Sequence, residues 1–228
     1  FLPVAKNQKL IATIHHIIEF KALFQEGVCC MPKTDYSAGM VSKPFWFIEF
    51  KKVMTLLDKG VNYDEIKRIS LEENLFGVPK IYRAKEIYNT VSRRAKSLDR
   101  KTINLFCSTD LSSSKAIALL AVMKTDRLFF EFMYEVYREK IILGDATLDE
   151  SDINIYKKNK QSQSDKVASW EDCTIKKLVN SYFNFLSDSG FILREGKVNK
   201  ITPPILDNDV EQHLLGLGMK NYLQAITG

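Results

Sequence analysis

Apolar positions recur along residues 44–98 with the spacing of three short amphipathic helices. The first helix follows Pro44, ends before Gly60, and has an apolar face of Trp46, Phe50, Val53, Met54 and Leu57. Asn62 and Glu65 have the spacing of a capping box that opens the second helix. The third helix covers about residues 81–98, after a turn at residues 74–79. Three helices with short connections predict a helix-turn-helix module.

Residues 110–145 predict a helical middle segment. Asp110 is placed to cap a helix through Ala116–Met123, and Thr125 is expected to cap the next one. That next helix carries an aromatic stripe between Phe129 and Tyr137, at the spacing of buried side chains.

The last third of the chain predicts helices followed by a small hairpin. One helix ends at Ser189–Gly190, and two short strands, 191–194 and 197–202, follow around a tight turn. Helix, turn, helix and basic hairpin is the order of a winged helix. We therefore predict a mainly α protein with an N-terminal helix-turn-helix domain (36–109), a helical middle (110–145) and a C-terminal winged-helix-like domain (146–228).

Composition places the chain among ordinary globular proteins. Its 228 residues are 45% hydrophobic and 27% charged, which excludes collagen and wholesale disorder. The four cysteines lack the spacing of zinc or disulfide frameworks, and no stretch is apolar enough to span a bilayer. We expect a cytoplasmic protein without a membrane partner.

Residues 1–35 are expected to be an N-terminal extension of doubtful native status, or else a helix that packs on the main body.

Catalytic motifs are absent from the sequence. There is no glycine-rich phosphate loop and no nucleophile elbow, and His213 is the only histidine beyond residue 35. We expect His213 to be a solvated helix residue. The acidic residues 145–152 have the composition of a magnesium site, or alternatively of turns and helix caps. We favour the caps, and predict no enzyme activity, no cofactor, no metal and no small-molecule substrate.

The distribution of charge is more informative than its sum of +5. Residues 80–101 carry eight Lys or Arg against two acidic residues, a local charge of +6. Residues 126–152 carry −5, and residues 157–200 carry +4. The acidic middle is expected to be a scaffold or a protein-binding face, and the two basic segments are candidate DNA-facing modules.

Candidate DNA-binding residues follow from these basic segments. In the third helix, basic groups and one amide recur on the side away from its apolar face, where they could meet phosphates and base edges. The alternative is a solvated exterior, or for the winged segment a module used for protein contacts. The candidate residues are Lys85, Asn89, Arg93, Arg94, Lys96, Lys176, Lys177, Asn180, Lys197 and Lys200.

Several long blocks resemble one known family in the same order. These are SAGMVSKPFWF at 37–47, RAKEIYNTVSRR at 83–94, MKTDRLFFEFMYEVY at 123–137, and Val167–Trp170 leading to Thr174–Leu178. They resemble the BrxA family of the bacteriophage exclusion (BREX) defence systems, over about residues 36–228. The resemblance implies a cytoplasmic, non-enzymatic helical protein that binds double-stranded DNA in phage restriction, with other BREX proteins as partners.

Two further functions stay open. The family has been likened to the antitermination factor NusB, which implies binding of RNA. An assembly adaptor that binds no nucleic acid would instead use the aromatic and acidic middle of the chain.

Overall fold

A computed structural model describes residues 35–196 and 198–228, and this part of the chain is mainly helical, as predicted. The expectations for residues 1–34 and for Lys197 lie outside the described residues. The first half contains α1 (Phe47–Asp58), α2 (Tyr63–Glu72), α3 (Ile81–Lys96), α4 (Arg100–Ser108) and α5 (Leu111–Thr125). The second half contains α6 (Arg127–Phe132), a π-helical turn (Met133–Tyr137), α7 (Arg138–Ile142), α8 (Glu150–Gln163), α9 (Asp165–Ala168), α10 (Asp172–Ser189), strands β1 (Ile192–Glu195) and β2 (Val198–Ile201), α11 (Asn208–Gly216) and α12 (Lys220–Thr227).

Carboxylate and amide caps begin several of these helices. The Asn62 side chain accepts a hydrogen bond from the Glu65 N–H at 2.9 Å, and Asp110 accepts from the N–H groups of Ser112 and Ser113. The predicted cap at Thr125 is wrong, because Asp126 accepts from the Phe129 N–H at 3.0 Å. The Thr125 hydroxyl instead donates to carbonyls of the preceding turn.

Helix α4 is absent from the predicted elements. Asp99 caps it by accepting a hydrogen bond from the Lys101 N–H at 3.1 Å. Its buried side is short, because it consists of Thr102, Ile103 and Phe106. A pattern of one and a half turns is too brief to stand out by periodicity alone.

The predicted hairpin is confirmed, and a short third strand segment pairs with it. Strands β1 and β2 pair antiparallel with Ile192 opposite Ile201. On the other side of β2, the Leu148 N–H donates to the Asn199 carbonyl at 2.9 Å and the Ile201 N–H donates to the Ala146 carbonyl at 2.8 Å. Residues 146–148 therefore extend the hairpin by one short strand segment.

The core is organised around α5. Every residue from Ala116 to Met123 is buried, since α5 packs against α3 and α4 on the N-terminal side and against α6 and α10 on the C-terminal side. Helix α5 contacts helices of both halves of the chain. The division into three separately folding segments therefore stays a prediction.

Part of the acidic middle segment points inward. Glu131 is fully buried, and it accepts hydrogen bonds from the Tyr36 hydroxyl at 2.8 Å and from Arg127 Nε at 2.7 Å. Lys160, only 2% exposed, places its Nζ 2.6 Å from both Glu131 Oε2 and Glu135 Oε1. Burial raises the pKa of Glu135, while Lys160 opposes that shift. Buried charges are tolerated because they are paired and hydrogen-bonded.

Lys160→Met should destabilise the fold, because Glu135 loses the ammonium group that compensates its burial. We expect the free energy of unfolding to fall by about 3 kcal/mol, measured by urea denaturation followed by circular dichroism. Lys158→Met, at an exposed position on the same helix, is the control and should change it by less than about 0.5 kcal/mol. Equal stability of the two variants would contradict the role of the buried ion network.

Candidate nucleic-acid interface

Helix α3 is buried on most of its circumference. It packs against α1, α2 and α5 through side chains that include Ala84, Ile87 and Val91. From Tyr82 onward, the exposed side chains of the helix form one stripe within an arc of about 80°. We name this stripe the α3 face, and it consists of Tyr82, Lys85, Asn89, Arg93 and Lys96.

Most of the α3 face is not used to hold the fold together. Lys85, Asn89 and Arg93 make no hydrogen bond or salt bridge with any residue that the structure describes. Lys96 Nζ lies 4.8 Å from the centroid of the Tyr63 ring, a cation–π contact that holds it at one end of the face. Four of the predicted residues are therefore exposed together, and the donors of Lys85, Asn89 and Arg93 can reach a polyanion.

Tyr82 is the member of the α3 face that the sequence analysis missed. Its side chain is 67% exposed, and Lys80 Nζ lies 5.7 Å from its ring centroid. Its position three residues before Lys85 places it on the same side of the helix, so helical spacing could have found it.

Arg94 is one of the predicted DNA-binding residues, but it is only 3% exposed and so is not part of the α3 face. Adjacent helical residues point about 100° apart, so Arg93 faces solvent while Arg94 faces the core. The Arg94 guanidinium donates to the Phe45 carbonyl at 2.5 Å and to the Pro44 carbonyl at 3.2 Å. Burial lowers its pKa to about 9. Arg94 thus joins the segment before α1 to α3.

The buried carboxyl group of Asp126 interacts electrostatically with Arg93 and Arg94 near the end of α3. Burial raises the pKa of its carboxyl to about 6, against the opposing effects of the Phe129 N–H and of the charges of Arg93 and Arg94. The exposed Arg93 guanidinium therefore sits near a carboxyl group that titrates close to neutral pH.

Helix α10 presents a second exposed polar side. Its apolar side packs against α5 and β1 and includes Ile175, Leu178 and Tyr182. The opposite side carries the three predicted residues and one further amide, all exposed. We name this set the α10 face, and it consists of Lys176, Lys177, Asn180 and Asn184.

The hairpin is tied to the α10 face by a basic residue outside the predicted set. Arg194 of β1 donates a hydrogen bond to Asn184 Oδ1 at 3.0 Å. Lys200 of β2 is exposed, whereas Lys197 is outside the described residues. Arg194 and Asn184 are ten residues apart and lie in different elements, so no periodic pattern in the sequence predicts this hydrogen bond.

The residues considered for other chemistry have structural partners. His213 Nε2 lies 3.1 Å from Asp99 Oδ2, so His213 is not the solvated residue that was expected. Asp149 and Asp152 form a capping box at the start of α8, and Asp152 also pairs with Lys140 at 2.9 Å. In residues 35–196 and 198–228, no cluster of metal-ligating side chains occurs.

No helix in these same ranges has the length and apolarity to cross a bilayer.

Comparison with known proteins points to one family. The sequence model of the BrxA family matches residues 34–217. A relative from Bacillus cereus (strain H3081.97) named "BREX protein BrxA" is 42% identical over 193 residues, which is 85% of this chain and 96% of the relative. A crystal structure of an uncharacterized protein from Magnetospirillum magneticum superposes with a TM-score of 0.72 at 17% identity. It covers 85% of this chain and 99% of that protein, and shows the same fold.

The neighbouring arginines of α3 should respond differently to substitution. Arg94→Met leaves two backbone carbonyls without their donor, so the free energy of unfolding should fall by about 2 kcal/mol in urea denaturation. Arg93→Met, which removes the same charge from an exposed site, should change it by less than about 0.5 kcal/mol. A larger loss for Arg93→Met than for Arg94→Met would contradict the assignment.

Asp126 should make the stability of the fold depend on pH. Because its folded-state pKa of about 6 lies above the ordinary value near 4, the bound proton stabilises the folded state below about pH 4. That contribution is lost as the pH rises through 6. Asp126→Asn keeps a capping oxygen but cannot ionise. It should gain stability relative to the parent between about pH 4 and pH 7, by on the order of 2 kcal/mol. Urea denaturation across this range checks the prediction, and a constant difference would refute it.

Proposed function

The chain belongs to the BrxA family and so to a BREX phage-defence system, and we propose that within it the protein binds double-stranded DNA. Binding involves no catalytic step. It takes place in the cytoplasm, where the DNA target lies, and other BREX proteins are its further partners.

The observation that carries this proposal is the α3 face. A helix buried on its other sides presents two free cations, one free amide and a tyrosine along a single exposed stripe. A recognition helix in the major groove needs this arrangement, with cations for phosphates and amides for base edges. The third helix of a helix-turn-helix module is the one that enters the groove.

The order of elements around α10 supports a second DNA-binding module. Helices α6 and α7 are followed by the short strand 146–148, then by α8, α10 and the hairpin, and strand 146–148 lies beside β2. This is the connectivity expected of a winged helix. In such a module α10 is the recognition helix, and Lys200 on β2 contacts the phosphate backbone.

Phosphate contacts dominate the proposed binding. The exposed cations outnumber the exposed amides on the two faces, so most contacts carry no sequence information. Binding is therefore largely sequence-tolerant, and its affinity falls with salt concentration.

Neutralising both faces should abolish this binding. A variant with Lys85→Ala, Arg93→Ala, Lys176→Ala and Lys177→Ala should bind duplex DNA at least about a hundredfold more weakly at ~0.1 M salt, measured by fluorescence anisotropy. The matched control removes four exposed lysines outside the two faces, through Lys59→Ala, Lys67→Ala, Lys158→Ala and Lys220→Ala. It loses the same total charge and should stay within about threefold of the parent.

Competition separates duplex DNA from the other two functions. Double-stranded RNA should compete at least about tenfold less well, because the narrow major groove of an A-form helix excludes a recognition helix. Equal competition would favour an RNA-binding factor. Absence of duplex binding by the folded parent chain, or equal binding by the two four-residue variants, would reject the proposal.

A further inference from the structure

The α3 face and the α10 face are turned away from each other. Where the two helices approach, the Arg94 guanidinium lies 5.4 Å from the centroid of the Phe185 ring. Arg94 is five residues beyond Asn89, and at 100° per residue it lies about 140° around α3 from that exposed amide. Phe185 is likewise five residues beyond Asn180 on α10. The helices therefore meet through sides that oppose their exposed faces.

Tyr182 shows that the side of α10 opposite its exposed face lies in the core. The buried carboxyl of Asp126 interacts electrostatically with both Arg94 of α3 and Tyr182 of α10. Tyr182 is two residues beyond Asn180, about 200° around α10 from the exposed side. Phe185 of α10 thus points toward α3 and the Tyr182 ring packs 5.0 Å from the Phe129 ring of α6, while Lys176 and Asn180 point away from both.

The orientation of the two faces is fixed by the core. Both α3 and α10 pack against α5, which is buried along its length from Ala116 to Met123. The Arg94 guanidinium is further held by the Pro44 and Phe45 carbonyls. Rotating either helix to bring both faces to one side would expose apolar core residues to water.

We propose that one chain binds two separate segments of duplex DNA at once, one on the α3 face and one on the α10 face. This inference rests on the proposed function, because each face must first bind a duplex. A short straight duplex that lies along one face leaves the other face open. The protein thereby joins two DNA segments without a second copy of itself.

Capture of a second duplex tests the proposal. One duplex of about 16 base pairs, roughly one and a half turns and too short to wrap around the protein, is fixed to beads. A fluorescent duplex of the same length is then added with the full chain at low salt. The parent protein should retain the fluorescent duplex on the beads, and a bead without the fixed duplex measures the background.

Single-face variants show whether both faces are needed. Lys85→Ala with Arg93→Ala, and separately Lys176→Ala with Lys177→Ala, should each still bind one duplex in anisotropy but lose at least about tenfold in capture of the second. An equimolar mixture of the two variants should not restore capture, since the two faces must belong to one chain.

Each other outcome overturns the inference in a recognisable way. Capture retained by either single-face variant, or restored by mixing them, means that copies of the chain are joined to each other instead. Binding of one duplex without capture by the parent protein means that both faces serve a single segment. Failure of the parent chain to bind any duplex rejects the proposed function itself.

Discussion

Helix α5 must be covered on every side, and this requirement determines where the other helices lie. Eight consecutive buried residues, Ala116 to Met123, leave no side of the helix that water can reach. A helix that is apolar around its whole circumference is stable only inside a core. Helices α3, α4, α6 and α10 provide that cover. Of these covering helices, α3 and α10 each keep one side exposed to solvent, and that side is basic.

Burial separates the charges that hold the fold from those available to a partner. Lys160, Glu131 and Arg94 are inside and have partners within about 3 Å, as buried charges require. Lys85 and Arg93 are outside and form no salt bridge with the residues that the structure describes. The net charge of +5 counts the buried charges and the exposed charges together. Only their placement shows which cations can neutralise phosphates.

Local patterns predicted the elements well, whereas long-range contacts decided the details of the site. Periodicity and caps located α1, α2, α3 and the hairpin, because these depend on neighbouring residues. Residues 116–123 are predicted to be a helix. Because this segment has no polar side, its composition also indicates a helix at the centre of the core. The burial of Arg94 could not be predicted, because it depends on the carbonyls of Pro44 and Phe45, about fifty residues away in the chain. The pairing of His213 with Asp99, 114 residues apart, has the same cause.

The salt dependence of duplex binding shows whether exposed cations on α3 and α10 neutralise DNA phosphates. The dissociation constant of the parent chain for a duplex of unrelated sequence is measured over a series of salt concentrations. If about three cations of one face contact phosphates of the bound duplex, the logarithm of the affinity should fall linearly with the logarithm of the salt concentration, with a slope of roughly −3. Affinity that does not change with salt, or no binding by the folded protein at low salt, would contradict the account.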